Sequence, residues 1–446
     1  MHISPLPDQL SQTLQPYAGQ RLCVGFSGGL DSSVLLHLLA QLAPVVGFQL
    51  SALHVHHGLS AQADDWAAHC ERVAASLGVP LVVRRVSVAR AGKGLEAAAR
   101  AARHAALAEQ DCDWIVLAHH RGDQAETLLH RLMRGTGVQG AAGMRAVDVA
   151  RRLLRPLLDV PRAELLAWAQ QAGIVWIEDD SNTDQRFTRN FLRHDILPRL
   201  DQRQHGVEAN LARAAGLFAE SADLLDALAA EDLQRLQFGQ PGSRSALRAL
   251  GAPRARNLLR HLLAQAGEGA PTAERLGETL EQLSSAAAVR LPFARIALCA
   301  WRDALWQEPV ALPSPPHSLL WCGEAVLPWA GGELRFVPAS GPEALRIVPN
   351  GACRIQPRQG GEQLRVEPAA PQRDFKTLAQ AAGLAPWQRD VLPCLWQGEH
   401  LLWIGALGAD AAARCAPGEA GWQLSWQPAV CSTSATRPAA AAGTAK

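Results

Sequence analysis

The sequence contains almost no lysine. Among 446 residues, all but three of the 43 basic side chains are arginines, and the lysines are Lys93, Lys376 and Lys446. Arginine presents a planar fork of donors that fits phosphate and carboxylate groups, so an anion site in this chain is expected to rely on guanidinium. The formal net charge is only +1. A nucleic-acid partner would therefore need a local basic face, because the overall field offers little steering.

The cysteines are not paired in the sequence. None of the nine belongs to a Cys-x-x-Cys motif, and they are spread over the chain as Cys23, Cys70, Cys112, Cys299, Cys322, Cys353, Cys394, Cys415 and Cys431. This spacing predicts neither a zinc knuckle nor a redox pair, and we expect all nine cysteines to be isolated.

Long apolar runs and a secretory leader are missing as well. No uninterrupted apolar stretch is expected to be long enough to cross a bilayer, and Met1 is followed by polar, proline-broken sequence. We therefore expect a cytoplasmic protein with reduced thiols and no membrane partner.

The first part of the chain alternates between strand-like and helix-like segments. Apolar runs such as RLCVGF and DWIVLAHH are each followed by a longer segment of helical periodicity, and this alternation fills residues 21–160. Strand-then-helix repetition predicts an α/β domain with a parallel sheet covered on both faces. Ligands of such sheets lie beyond the carboxyl ends of the strands. We assign residues 1–200 to this domain.

The rest of the chain changes character twice. Residues 201–312 predict a mainly helical middle domain, which ends at the proline-rich connector EPVALPSPPHS. Residues 318–430 show strand-like periodicity and predict a small β-rich domain. The tail at 431–446 has the composition of disordered sequence.

The segment SGGLDS, at residues 27–32, stands between the first strand and the helix that follows it. Glycines let the backbone approach an anion and take positive φ values, and free N–H groups at a helix start point towards the anion. The segment lacks the Gly-Lys-Ser/Thr sequence of loops that support γ-phosphoryl transfer. An ordinary turn in which Asp31 or Ser32 caps the helix is the alternative. The strand-to-helix context favours a phosphate site.

Two acidic side chains follow the fourth strand. Asp123 and Glu126 lie in AHHRGDQAETLL, where their spacing also fits a helix capping box. Carboxylates at the carboxyl edge of a parallel sheet can hold Mg²⁺ or accept a proton. The sequence leaves the capping and the chemical interpretation equally open.

Three clustered histidines occur in HVHHGLS, at His54, His56 and His57. Two of them alternate along a predicted strand, and no cysteine or carboxylate completes a metal-binding set. A structural or substrate-binding role is therefore favoured over a zinc site.

Two arginine-containing segments have alternatives of their own. GLEAAARAAR places Arg100 on the helix face of Glu96, which predicts either a solvated ion pair or a contact to phosphate. WIEDDSNTDQRFTRNFLR sets Glu178, Asp179 and Asp180 against arginines at 186, 189 and 193. That segment predicts either a turn before a polar helix or an arginine directed at a transition-state phosphate.

These blocks, in this order, resemble the tRNA(Ile)-lysidine synthetase family of N-type ATP pyrophosphatases. The resemblance includes SGGLDS, HVHHGLS, the LE-x3-AR-x2-R helix, HH-x2-DQAETLL, RPLL, EDDSN and RNFLR, and it continues in RQGGEQLRVEP and IGALG. It implies an adenine nucleotide α-hydrolase-like N-terminal domain followed by helical and β-rich tRNA-binding domains. It also implies that ATP adenylates C2–O of the wobble cytidine of a CAU-anticodon tRNA(Ile). Free L-lysine then displaces AMP to give lysidine, which converts the tRNA from methionine to isoleucine specificity.

The resemblance implies roles for individual residues. The expected ATP-binding residues are Ser27, Gly28, Gly29, Leu30, Asp31, Ser32, Arg100 and His120. The expected catalytic residues are Asp31, Asp123, Glu126 and Arg189, of which Asp31 and Asp123 would hold Mg²⁺. Arg189 is the first candidate to stabilise charge on the α-phosphate, and Glu126 is the nearest candidate to take the amine proton of lysine.

Contacts to tRNA beyond the active site are expected from the middle and C-terminal regions. The candidates in the middle region are Arg244, Arg248, Arg254, Arg256 and Arg260. The sequence leaves the oligomeric state open, with a homodimer as the candidate assembly.

Two other functional classes fit part of the pattern. A tRNA thiolase usually carries paired cysteines, and a glutamine-dependent synthetase needs a nucleophilic cysteine directly after Met1; the sequence has neither. A nucleotide-regulated RNA-binding protein without turnover would not need Asp31, Asp123, Glu126 and Arg189 together. A ligase is therefore the favoured function.

Overall fold

The computed structural model describes residues 6–58, 60, 62–87, 95–178, 188–311, 313–347 and 353–428, and of residues 95–97 it describes only the backbone. The chain divides into two compact units, Met1–Leu224 and Leu225–Lys446. The predicted tail at 431–446 lies outside the described residues, as do Asp179, Asp180 and Arg186.

The first unit alternates helices and strands as the sequence predicts. Its described strands are β1 (Arg21–Gly25), β2 (Gln49–His56), β3 (Leu81–Arg85), β4 (Trp114–Val116), β5 (Val147–Asp148) and β6 (Leu153–Leu154). Its described helices are α1 (Leu6–Leu14), α2 (Leu30–Leu42), α3 (Ala63–Ser76), α4 (Leu95–Ala108), α5 (Arg121–Leu132), α6 (Val138–Ala141), α7 (Arg162–Gln171), α8 (Thr188–Phe191) and α9 (Leu197–Arg203); α10 (Val207–Leu236) follows.

One six-stranded sheet, in the order β3-β2-β1-β4-β6-β5, organises this unit. All neighbouring pairs are parallel except β5 with β6. Leu22 lies opposite Leu50 on one side and Trp114 on the other, so β1 is central and its carboxyl end opens between two neighbouring strands. The predicted parallel α/β domain is confirmed. The antiparallel edge strand β5 was not predicted, because two residues are too few to show a period.

Helix α2 lies in the core of the unit. Leu35, Leu36, Leu38 and Leu39 are fully buried, and they pack with the apolar side chains of β1. The segment Leu30–Gly47 has the length and mean hydropathy of a membrane-crossing helix, but Asp31 and His37 interrupt it, so it is not the uninterrupted apolar run that the sequence is expected to lack. More than half of this segment is buried within the protein, which is the pattern of a core helix.

Two cysteines that are far apart in the sequence meet in this sheet. Cys23 of β1 and Cys112, just before β4, are both buried and free, and their side chains share a hydrogen bond. That bond raises the pKa of Cys23 and lowers the pKa of Cys112 to about 7. The eight described cysteines are all free, and parallel pairing brings Cys112 beside Cys23 although the sequence separates them.

The second unit begins with helices and continues with antiparallel sheets. The helices are α11 (Ser243–Ala249), α12 (Ala252–Gln265), α13 (Ala273–Ser285), α14 (Phe375–Ala381) and α15 (Pro386–Arg389). The first sheet pairs β7 (Ala288–Pro292), β8 (Ile296–Trp301) and β9 (Ala304–Pro309). These three strands lie within residues 201–312, so the predicted mainly helical region ends in a small antiparallel sheet.

The described part of the chain beyond the connector is β-rich, as predicted. Its strands are β10 (Leu319–Trp321), β11 (Val326–Trp329), β12 (Gly332–Ser340), β13 (Cys353–Gln356), β14 (Gln363–Leu364), β15 (Arg373–Asp374), β16 (Cys394–Gln397), β17 (His400–Ile404), β18 (Gly408–Ala409) and β19 (Ala420–Gln427). They form sheets in the orders β10-β13-β16-β17-β18, β11-β12-β19 and β14-β15. Trp321 stacks on Phe336 with ring centroids 4.7 Å apart in the core between these strands.

Candidate active site

The SGGLDS segment makes the turn from β1 into α2. Gly28 has φ +84°, and a Cβ at this position would lie 2.6 Å from Ile177 Cδ1 and 3.0 Å from Cys70 Sγ. The carbonyl of Gly28 also accepts a hydrogen bond of 2.9 Å from the N–H of Ile177. Glycine is therefore required here both by the left-handed backbone and by the neighbours that enclose the turn.

The serine hydroxyls of the segment hold the turn rather than cap the helix. Ser32 Oγ donates to the carbonyl of Gly29 at 3.0 Å and lies 3.0 Å from Ser27 Oγ. Ser33 Oγ donates to the carbonyl of Gly28 at 3.2 Å. The N-cap residue of α2 is Gly29, and no side chain makes a capping bond there. The alternative in which Asp31 or Ser32 caps the helix is wrong, and the first amides of α2 are left for an anion.

Asp31 stands at the second position of α2, where its carboxylate faces a guanidinium and an imidazole. Its Oδ1 lies 3.5 Å from Arg162 Nε, and its Oδ2 lies 3.9 Å from His120 Nε2. Oδ1 is buried, and it accepts no hydrogen bond within the described part of the chain. Burial raises the pKa of Asp31 above its usual value, while His120 and Arg162 act against that rise. A buried carboxylate oxygen without a donor is suited to receive a cation.

His120 and Asp123 form a capping box at the start of α5. The N–H of His120 donates to Asp123 Oδ2 at 3.0 Å, and His120 Nδ1 accepts the N–H of Gly122 at 3.1 Å. The capping box therefore has His120 as N-cap and Asp123 as the third helical residue, three positions earlier than an Asp123–Glu126 box would stand. Because Nδ1 is an acceptor, the neutral imidazole carries its proton on Nε2.

The Nε2 atom of His120 connects the two aspartates expected to hold metal. It lies 3.6 Å from Asp123 Oδ2 and 3.9 Å from Asp31 Oδ2. Burial acts to raise the pKa of Asp123, yet His120 and Arg193 outweigh it and hold the pKa below its usual value. Asp123 is thus a carboxylate, close to Asp31, at the carboxyl edge of the sheet.

Glu126 is almost completely buried one turn further along α5, where it pairs with Arg193. Arg193 Nε donates to Glu126 Oε1 at 2.5 Å, and Arg193 Nη2 donates to Glu126 Oε2 at 3.1 Å and to Asp123 Oδ1 at 2.7 Å. Burial raises the pKa of Glu126, and the guanidinium of Arg193 opposes that rise. One arginine therefore ties two of the predicted catalytic acids together.

His119 is the neutral member of the site. Arg155 Nε donates to His119 Nδ1 at 3.2 Å, so the second ring nitrogen carries the proton. Burial lowers the pKa of His119 to about 4, and the charges of Arg155, Arg100 and Arg189 add to this effect while Asp123 opposes it. Arg100 of α4 and Arg189 of α8 thus both lie near enough to His119 to act on its charge.

The structure brings together most of the residues that the sequence selected. Asp31, His120, Asp123 and Glu126 share one contiguous network, while Arg100 and Arg189 influence it through His119. The sequence did not assign a role in the site to Arg193, Arg162 or His119. Arg193 has a sequence signal, since it follows Arg189 by one helical turn in RNFLR. Nothing in the sequence distinguishes Arg162 from the other arginines.

The cluster HVHHGLS supplies packing beside the loop. His54 is buried, with Nδ1 3.0 Å from the carbonyl of Phe26 and 3.3 Å from Cys70 Sγ. His56 Nε2 lies 3.2 Å from Asp64 Oδ1. These contacts agree with the structural interpretation of the cluster.

No group of three or more histidine, cysteine or acidic side chains that could hold a metal occurs among the residues that the structure describes. Mg²⁺ in nucleotide sites usually needs only one or two carboxylates, because phosphates and water supply the other ligands. The unpartnered Oδ1 of Asp31 and the adjacent carboxylate of Asp123 fit that requirement.

Three of the middle-region arginines predicted to contact tRNA have partners inside the second unit. Arg244 is buried and donates to the carbonyls of residues 283, 286 and 302. Arg248 bonds the carbonyl of Ser284, and Arg254 pairs with the buried Asp232. Arg256 and Arg260 therefore remain the better candidates for contacts to RNA.

Comparison with known proteins agrees with this geometry. A PP-loop domain model matches residues 4–200, a TilS substrate binding domain model matches residues 243–306, and a TilS substrate C-terminal domain model matches residues 353–426. A tRNA(Ile)-lysidine synthase from Azoarcus sp. (strain BH72) is 46% identical over 92% of each chain. The protein of that name from Aromatoleum aromaticum is 47% identical over 92% of this chain and 97% of its own. The one from Pseudomonas aeruginosa is 42% identical over 95% of this chain and 97% of its own.

Proposed function

The chain belongs to the tRNA(Ile)-lysidine synthase family, and from that premise we propose which of its residues carry each step of the reaction. It is an ATP-using ligase that forms lysidine on tRNA(Ile). The observation that carries the assignment of residues is the buried Oδ1 of Asp31, which accepts no hydrogen bond from the described residues and stands beside the uncapped start of α2.

The reaction has two covalent steps. In the first, C2–O of the wobble cytidine attacks the α-phosphorus of ATP, the bond between the α-phosphorus and its bridging oxygen breaks, and pyrophosphate leaves. In the second, an amine of free L-lysine adds to C2, the C2–O bond breaks, and AMP leaves with that oxygen while the nitrogen gives up a proton. Both steps need positive charge at the α-phosphate and a closed pocket for the base.

The pyrophosphate end of ATP is proposed to bind at the segment from Ser27 to Ser32. The open backbone at Gly28 and Gly29 and the first amides of α2 would donate to its oxygens. Asp31 and Asp123 would hold Mg²⁺, which would neutralise phosphate charge there. His120, with its proton on Nε2, would keep both carboxylates oriented towards the same space.

The α-phosphate is proposed to face Arg189 and Arg100. Both side chains contribute to the low pKa of His119, which supports their convergence on this part of the site. A guanidinium fork there would stabilise the charge that develops as pyrophosphate and later AMP depart.

The proton of the lysine amine is proposed to pass to Glu126, whose pKa is raised by burial. Both oxygens of Glu126 are bonded to Arg193, so this transfer would require Arg193 to release one of them. Until then Glu126 acts as a positioning residue that holds Arg193 against Asp123.

The remaining assignments follow from the family. We propose that free L-lysine and the CAU-anticodon tRNA(Ile) are the co-substrates, and that the regions 201–312 and 318–430 hold the tRNA outside the catalytic domain, 1–200. We further propose a cytoplasmic location, where tRNA and ATP are available, and a homodimer, which light scattering of the purified protein would detect.

The first test is substitution of Asp31. Asp31→Asn keeps the shape of the side chain but removes the charge that Mg²⁺ needs, so labelled lysine should not enter CAU-anticodon tRNA(Ile) and AMP should not be released. Asp65→Asn, an exposed change of the same kind on α3, is the matched control and should leave both activities unchanged. Full AMP release by Asp31→Asn would refute the role of Asp31, and wild-type protein that incorporates no lysine would refute the function.

A further inference from the structure

Two arginines contact the acidic side chains of the described site, and they are held very differently. Arg193 makes three hydrogen bonds of 2.5, 2.7 and 3.1 Å to Glu126 and Asp123. Among the described residues, Arg162 makes one side-chain contact, 3.5 Å from its Nε to Asp31 Oδ1, and its side chain is 49% exposed. That contact is too long to satisfy Oδ1 as a hydrogen bond. Arg193 is therefore held firmly by its two carboxylates, whereas the long contact of Arg162 allows its guanidinium to change partner.

The position of Arg162 brings it to the phosphate loop. It is the first residue of α7, directly after Pro161, and α7 packs against α2 in the same unit. Its guanidinium thus lies beside the second residue of the helix whose first amides stand uncapped. By rotating its side chain, Arg162 could bring its guanidinium to a phosphate bound at those amides.

We propose that Arg162 holds Asp31 while the site is empty and transfers its guanidinium to a phosphate oxygen of ATP when the Mg²⁺–nucleotide enters. This inference rests on the proposed function, in which Asp31 becomes a metal ligand. A carboxylate oxygen that coordinates Mg²⁺ has less charge to offer a guanidinium, so Arg162 loses its partner at the moment that a polyphosphate arrives. The arginine fork fits phosphate as well as it fits carboxylate.

The exchange predicts effects of opposite sign for metal and for nucleotide. Without nucleotide, Arg162 competes with a divalent cation for Asp31, so its removal should tighten metal binding. With nucleotide, Arg162 adds a charge-assisted bond to phosphate, so its removal should weaken binding of the Mg²⁺–nucleotide. A merely structural ion pair would give no such inversion.

The experiment compares full-length wild type, Arg162→Ala and Arg162→Lys. Mn²⁺ without nucleotide is titrated by electron paramagnetic resonance, and a non-hydrolysable Mg²⁺–ATP analogue is titrated by calorimetry. We expect Arg162→Ala to bind the analogue about tenfold more weakly, and to bind Mn²⁺ roughly threefold more tightly. Arg162→Lys keeps the charge but not the planar fork of donors, so its affinities for the analogue and for Mn²⁺ should lie between those of wild type and Arg162→Ala. In turnover assays KM for ATP should rise while KM for lysine stays unchanged.

Arg151→Ala is the matched control, because the side chain of Arg151 is 77% exposed and, among the described residues, its guanidinium pairs with Asp148. It should leave both affinities unchanged. Equal analogue affinity in Arg162→Ala and wild type would overturn the inference, and so would a parallel loss of Mn²⁺ and analogue binding or an unchanged Mn²⁺ affinity. Wild-type protein that does not bind the analogue would overturn the nucleotide site itself.

Discussion

Removal of Arg193 should destabilise the site through the charge that it leaves behind. Glu126 is 3% exposed, and both of its oxygens are bonded to this one guanidinium. Arg193→Met keeps most of the volume of the side chain but leaves the Glu126 carboxylate buried without a partner. Breaking a buried ion pair in this way costs about 3–5 kcal/mol, and the 32% exposure of the Arg193 side chain places the loss near the lower end of that range.

A double-mutant cycle isolates the pairwise part of that loss. Glu126→Gln removes the charge but keeps an acceptor for Arg193, so it should cost only about 1–2 kcal/mol. The double variant, Glu126→Gln with Arg193→Met, leaves no buried charge at position 126 and should be more stable than Arg193→Met alone, although Asp123 still lacks its guanidinium partner. Neighbours of this kind give coupling energies of about 0.5–3 kcal/mol, and we expect a value in the upper half of that range.

Hydrogen exchange of peptides that contain α5 measures the effect locally, independently of the second unit. The free energy of opening of α5 should fall in Arg193→Met and recover partly in the double variant. This loss in the free energy of opening of α5, which we call the deficit of Arg193→Met, should also depend on pH. Burial raises the native pKa of Glu126 above the unfolded value, so protonation favours the native state, and the deficit of Arg193→Met should shrink as pH falls through the native pKa. Additive effects, within about 0.5 kcal/mol and independent of pH, would refute the proposed coupling.

Two further substitutions test the loop and the neutral histidine. Gly28→Ala should abolish ATP binding in calorimetric titration, because its Cβ would lie 2.6 Å from Ile177 Cδ1 at a residue with φ +84°. Gly47→Ala is the control, because Gly47 has φ +90° and a Cβ there would meet no atom within 4 Å. It should bind ATP normally despite the same backbone strain. The low pKa of His119, about 4, means that the unfolded chain binds its proton first, so stability should be lost as pH falls from about 6.5 towards 4. His119→Asn, which keeps an acceptor for Arg155, should flatten the dependence of unfolding free energy on pH in that window, and an unchanged slope would contradict the assignment of a buried neutral imidazole.

The parallel sheet could be predicted because its signals are local. The strands β1, β2 and β4 lie in short apolar runs, helix-like segments follow them, and SGGLDS marks the turn between β1 and α2. The same local logic predicted that Asp123 and Glu126 would reach the carboxyl edge of the sheet, since they follow β4 directly. Parallel strands place those edges together, so adjacency in the fold follows from order in the chain.

The partners of the acidic residues could not be predicted, because they come from distant parts of the chain. Arg193 contacts Glu126, which lies 67 positions earlier in the chain. The segment RNFLR contains both Arg189 and Arg193, and nothing in it shows which of the two pairs with Glu126. The sequence predicts the capping box one turn too late, because histidine is an uncommon N-cap and the spacing of Asp123 and Glu126 fits the motif. Likewise, the contact between Cys23 and Cys112 depends on which strand pairs with β1, and spacing in the sequence contains no record of that choice.

The two aspartates differ in what metal binding would cost them. Asp123 already uses Oδ2 to accept the N–H of His120 and Oδ1 to accept from Arg193, so a bond to Mg²⁺ must compete with the cap of α5 or with the arginine. Within the described part of the chain, Asp31 Oδ1 has no hydrogen bond to lose, and the guanidinium that lies near it is the loosely held Arg162. If Asp31 and Asp123 hold Mg²⁺ as proposed, Asp31 would be the first ligand, and Asp123 would join it only as His120 and Arg193 adjust. That order would make the position of α5, and with it Glu126, respond to the arrival of the nucleotide before the tRNA base is activated.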